Sequence, residues 1–108
     1  LSEGEFERIG YEGKGTATII DTGEGAEVRF TDFSVEEGPA LRVYLSTAPA
    51  GSPESRYDDD FVDLGALTAF EGDQSYPVPA DVDPGEYRSV VIWCAEFSVG
   101  FVVAPIDA

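Results

Sequence analysis

The chain has no histidine and no methionine, and only one cysteine, one tryptophan and one lysine among its 108 residues. Each shortage closes a class of chemistry. Without His, neither a Ser-His nor a Cys-His nucleophile pair can be assembled, and no Gly-x-Ser-x-Gly elbow is present either. A blue-copper centre, which takes His and Cys together, is beyond this chain, and so are the usual His or Met ligands of haem. No cofactor is identifiable, and no catalytic constellation. A lone Cys94 forms no internal disulfide, so thiol usage leaves the compartment open. No apolar run approaches the length of a membrane span, which argues against direct insertion, and the opening Leu1-Ser2-Glu3-Gly4 is no signal peptide. With no initiating Met, the sequence reads as a domain taken from a longer precursor.

Positive charge is also scarce. Six Lys and Arg face 22 Asp and Glu, for a formal net charge of −16. The basic footprint of a nucleic-acid binder is missing. Small soluble domains usually carry a net charge of about 2 to 8 in magnitude, so the excess calls for a cause. Adaptation to high salt is the favoured one, since the acids are scattered over every expected loop and the Debye length falls to about 3 Å at 1 M. Calcium capture and a basic partner are the other two. Asp58, Asp59, Asp60 and Asp63 form the densest acidic cluster and are weak calcium candidates. They lack the spaced Asp, Asn and Gly of a calcium loop, and a solvated charge run is the plainer reading.

What the chain does have is short, β-branched and aromatic segments between turn signals, with no amphipathic helical period. At this length it forms one domain, residues 1–108, able to bury roughly two thirds of the surface its unfolded form exposes. The expected architecture is all-β: an antiparallel β-sandwich or flattened barrel of seven to eight short strands. Phe6 to Tyr11 reads as an edge strand, Lys14 to Ile20 and Ala26 to Phe33 as a hairpin across Asp21-Thr22-Gly23-Glu24-Gly25. Leu41 to Leu45 reads as half-buried, with Arg42, Tyr44 and Ser46 facing outward. Thr47 to Asp60, holding Pro49, Gly51 and Pro53, shows no period and reads as an exposed variable loop. Phe61 to Gly65 and Gln74 to Pro79 are extended, and Ala66 to Phe70 reads as a turn of helix.

The organising stretch is Glu86 to Val103, which holds Cys94 and Trp93 in the longest apolar run. Two strands near the centre of a sheet are expected here. A tight turn at Ala95-Glu96 would set Cys94 opposite Phe97, Ile92 opposite Val99 and Val90 opposite Phe101 on the core face. Trp93 would then lie opposite Ser98, and Val91 opposite Gly100, in a second layer.

Five blocks in register carry a resemblance: Asp32-Phe33, Gly38-Pro39 leading to Leu41 through Ser46, Val62 to Leu67, Gly72 to Pro79, and Tyr87 to Phe101 around Trp93-Cys94. Together they resemble the DM-thirteen domain family across most of the chain. The resemblance implies a small β domain in secreted or membrane-attached proteins, an extracellular or envelope location, and an electron-transfer role centred on Cys94. Partners would be other domains of the precursor or an envelope protein. Members commonly carry a His near the position of Tyr11 and Glu12, and an Asp where Ala40 stands; this chain has neither.

Two readings of Cys94 stand side by side. As a redox atom it needs exposure or a nearby positive group to favour the thiolate, and the nearest charges in sequence are Glu96 and Arg88. As a small apolar core residue it needs only burial. The second reading makes the domain structural or interactive, with the Thr47 to Asp60 loop meeting a partner. Trp93, Tyr44, Tyr76 and Tyr87 could stack a sugar ring, or fill the second core layer.

Overall fold

The computed structural model describes residues 2–23 and 25–106. Nine strands run through them: β1 (Ser2–Glu5), β2 (Glu7–Arg8), β3 (Gly13–Asp21), β4 (Ala26–Val35), β5 (Leu41–Ser46), β6 (Phe61–Ala66), β7 (Gln74–Val78), β8 (Ser89–Cys94) and β9 (Val99–Pro105). They form two sheets, β1-β3-β4-β7 and β2-β9-β8-β5-β6, with every pairing antiparallel. The sheets pack face to face without closing, so the sandwich form of the expectation holds and the barrel form does not. No described helix is long and apolar enough to cross a membrane.

The core follows from alternation. Ala17 and Ile19 on β3, Val28 and Phe30 on β4, and Val43, Leu45, Val90 and Ile92 on β5 and β8 turn inward and are buried, and a bulge at Asp32 opposite Gly15 shifts the parity of β4 so that Phe33 and Val35 turn inward too. Each fully buried side chain of the Val, Leu or Phe kind is worth roughly 1.5–3 kcal/mol of removed apolar surface. Phe6 joins this core, packed edge-on against Phe30 at 5.1 Å between ring centres. It also marks a crossing: β1 pairs with β3 in one sheet and β2 with β9 in the other, so only Glu7 and Arg8 of the expected strand Phe6 to Tyr11 are in a sheet, and a strand not expected there, β1, precedes Phe6.

Three further expectations need correction. Ala66 to Phe70 contains no helical turn; instead Leu67 N–H donates to the Leu41 carbonyl and the Phe70 carbonyl accepts from Val35 N–H, which ties this stretch across both sheets. β5 is not half-buried, since Tyr44 and Ser46 are buried as well as its inward residues. The third concerns the β8 to β9 connection, which uses four residues, 95–98, with Ser98 at φ +55°. Cys94 therefore pairs with Val99, Trp93 with Gly100, Ile92 with Val102 and Val91 with Val103. A bulge between Ile92 and Trp93 leaves Phe101 without an opposite number, so Phe101 and Val102 both turn into the core. Phe97, expected in the core, lies 63 % exposed on the turn.

The outer strands are irregular. β2 is two residues long, β7 carries Pro77, and β6 has a bulge opposite Val43/Tyr44 with Gly65 at φ +119°.

Candidate functional site around Cys94

Period-two alternation sends Cys94 inward and Trp93 outward, as the expectation had it, although the register differs. The Cys94 side chain has no solvent-exposed surface. Its Sγ–H donates to the Pro39 carbonyl oxygen at 3.1 Å. Pro39 belongs to the corner Gly38-Pro39-Ala40 between β4 and β5. That corner is fixed on both sides of the sulfur: Leu41 pairs with Cys94, and Ala95 N–H donates to the Ala40 carbonyl at 3.0 Å. Ala40 holds φ +52°, in the left-handed region that costs a residue with a Cβ roughly 1–2 kcal/mol. Asp and Asn tolerate that conformation better than Ala does.

Gly38 is pressed against Phe101, where an added Cβ would fall 2.6 Å from the ring. On the far side of Phe101, Tyr11 stacks at 4.0 Å between ring centres and 24° between planes. The backbone holds this contact, because Ile9, Gly10 and Tyr11 N–H all point to the Phe101 carbonyl at 3.0–3.3 Å. An aromatic pair thus runs from the core beside the Gly38 corner to a tyrosine that is 40 % exposed.

The charges nominated from sequence do not reach the thiol. Arg88 lies before the opposite end of β8, about 20 Å along the strand from Cys94 at roughly 3.3 Å per residue. Glu96 is exposed on the turn. Arg42, opposite Trp93 on the outer face, is taken up by Asp63 at 2.6 Å.

The outer face of β8 is covered by the loop from Thr47 to Asp60. Tyr57, Ala48, Tyr44, Val91, Trp93 and Val103 form a second buried cluster beneath it. Trp93 lies across Gly100, with its ring 3.5 Å from the place a Cβ would take there, and Tyr44 bridges Trp93 at 6.1 Å to Phe61 at 4.1 Å. Polar contacts hold the loop down. Glu54 Oε2 accepts from Gly100 N–H at 2.9 Å, Ser89 Oγ–H donates to the Ala48 carbonyl at 2.7 Å, and Tyr57 Oη accepts from Gly51 N–H at 3.1 Å. Burial pushes the Tyr57 hydroxyl above its ordinary pKa, and burial followed by the Asp63 carboxylate does the same to Tyr44. The expected exposed loop is thus exposed over most of its length but pinned to the sheet by buried Ala48 and Tyr57.

The other sequence candidates are dispersed. Asp58, Asp59 and Asp60 are exposed on the loop, whereas Asp63 on β6 accepts from Arg42 and from Gly65 N–H. Among the described residues no three Asp, Glu or Cys side chains gather in a way that could hold a metal ion. The four aromatics form no common platform: Trp93 and Tyr44 fill the second layer, but Tyr76 is in the main core with its hydroxyl bonded to Gln74 and Thr68, and Tyr87 packs half-buried against the same core. Sequence reasoning missed Pro39, Glu54, Tyr57 and the Tyr11–Phe101 pair. Only Gly38-Pro39 left a signal, as a corner.

No curated protein and no solved structure matches the chain. A family model described as electron transfer DM13 matches residues 5–106, a span that takes in the Gly38–Ala40 corner, the covering loop and the whole β8–β9 hairpin. With nearly its entire length matched, the chain belongs to the DM13 family.

Proposed function

We propose that the domain is an accessory module serving electron transfer outside the cytoplasm or at the cell envelope, which works through an interaction surface and carries Cys94 as a packed thiol. One observation carries this reading: the sulfur is fully enclosed and its proton is directed at a backbone carbonyl, the Pro39 oxygen at 3.1 Å. A carbonyl accepts a hydrogen bond but does not take the proton away, and a working thiol needs both access and a route to the thiolate. The partners are other domains of a longer precursor or an envelope protein. The domain performs no catalysis of its own.

A second reading, Cys94 as the redox atom itself, is favoured by the family's description. It requires the Gly38–Ala40 corner to lift, so that the freed thiolate can react through a sulfur intermediate or a disulfide to another chain. Reaction of the native protein with a thiol reagent, followed across pH in molar salt, separates the two. Protection down to the rate of unfolding supports the packed thiol. Fast reaction, rising around an apparent pKa well below the ~8.5 of a free thiol, overturns it in favour of the second.

A further inference from the structure

Among the described residues the large apolar side chains that remain exposed are Tyr11, Phe61, Phe70 and Phe97. Phe61 has an internal partner in Tyr44 at the end of the sandwich that carries the loop. The other three share the opposite end. Tyr11 stacks on Phe101 beside Gly38, Phe70 accepts at its carbonyl from Val35 N–H where β4 leaves the sheet, and Phe97 is on the turn that follows Cys94. The Gly38–Ala40 corner lies at the same end, and so does a cleft of about 340 Å³ lined by Glu12, Gly13, Lys14, Ser34, Val35 and Glu36. The exposed carboxylates here include Glu36, Glu37, Glu71 and Glu96, none of them in an ion pair among the described residues; Glu36 accepts from Glu12 N–H, Glu12 is paired with Arg8, and Lys14 lies in the cleft.

We propose that this end is a docking face for a protein whose surface offers apolar side chains within a ring of Lys and Arg. The proposal rests on the reading that the domain works through an interaction surface, and it names that surface and the chemistry of its partner. Phe97 is 63 % exposed with no ring contact among the described residues, and with Tyr11 and Phe70 at the same end it makes three of the four exposed large apolar side chains among the described residues gather there. Charge selects among occupants. At about 0.1 M salt, where charges act over about 10 Å, a second copy bringing another −16 and an anionic membrane are both repelled by the same field. A cationic rim meets the four exposed glutamates, speeding encounter while the aromatics supply the lasting contact.

The test uses a soluble peptide in which Arg alternates with Leu and Trp, and a control peptide of equal charge with Ser in place of the apolar residues. Amide shifts of the nitrogen-15-labelled domain are recorded with each. The expected result is a set of shifts concentrated at Tyr11, Glu37, Phe70, Glu96 and Phe97 with the first peptide, weak and diffuse shifts with the control, and binding about tenfold weaker in the exposed variant Phe97→Ser. Shifts centred on residues 47–60, equal affinity of the two peptides, or no effect of Phe97→Ser would overturn the proposal. Self-association abolished by Phe97→Ser would overturn it in favour of a second copy, and binding to phosphatidylglycerol vesicles lost in the same variant would overturn it in favour of a membrane. Thiol reactivity is measured on the same sample. A fast-reacting Cys94 with shifts still at this end removes the packed thiol and leaves the docking face, whereas a protected Cys94 with shifts elsewhere does the reverse.

Discussion

The Cys94 thiol and the Pro39 carbonyl oxygen, 55 residues apart in sequence, meet at 3.1 Å. The contact joins the last residue of β8 to the corner that leads into β5, so the sulfur acts as a fastener between the chain's central strand and its Gly-Pro turn.

Removing that fastener is expected to weaken the fold. Cys94→Ala deletes the donor and leaves a small void among Leu41, Phe101 and Ile92, for a loss of about 1–2 kcal/mol. Urea unfolding should show a lower midpoint at unchanged slope. A neutral outcome would mean that the site collapses around Ala and that the sulfur is dispensable for packing.

The loop over Trp93 has its anchor in Glu54. Glu54→Ala leaves the Gly100 N–H without its acceptor, at a cost of about 1–3 kcal/mol, and frees the loop from the indole beneath it. Trp93 emission should move to longer wavelength and become open to acrylamide quenching. Glu54→Gln, which keeps an acceptor, should restore most of both properties.

Alkaline pH should destabilise the domain through its buried tyrosines. The folded-state pKa values of Tyr57 and Tyr44 are raised, chiefly by burial, above the ordinary value of about 10. Above about pH 10 the unfolded chain gives up these protons before the folded one does, so the native state binds more protons and stability falls with rising pH. The stabilising contribution is complete below the unfolded value and is lost as pH climbs through the folded one. Urea midpoints measured between about pH 8 and 12, alongside tyrosinate absorbance, read this directly; Tyr57→Phe should make the decline shallower.

Salt should act in the opposite sense. Nearly all described carboxylates are exposed, and the ion pairs among the described residues engage only Arg8, Arg29 and Arg42. Screening shortens the reach of the remaining repulsion to about 3 Å at 1 M. The thermal midpoint is expected to climb steadily from millimolar to molar sodium chloride, and a flat response would remove the case for salt adaptation.

The faces of Cys94 and Trp93 were legible because side-chain direction depends only on the parity of the strand. Their partners were not, since parity says nothing about turn length. Ala95 to Ser98 forms a four-residue connection with a serine in the left-handed region and no Gly to announce it. Lengthening the turn by two residues keeps Val99 and Phe101 inward, and the bulge at Phe101 then shifts the parity so that Val102 and Ala104 turn inward and Val103 outward. Residues 47–60 were opaque for a different reason. Their order comes from contacts with distant strands, Glu54 with Gly100 and Ala48 with Ser89, and local sequence carries no period for such contacts. The apparent wetness of β5 had the same origin, because Tyr44 and Ser46 are dry only under that loop.

The broken outlines of the two sheets bear on how crowded molecules of this protein behave in brine. Once ions have silenced long-range repulsion, carboxylates no longer hold neighbouring copies apart, and any straight, open ladder becomes an invitation to intermolecular strand pairing. Pro77, the two-residue β2 and the kink at Gly65 withhold that invitation along three of the four margins. Resistance to clumping, in such a medium, resides in the backbone and not in the charge.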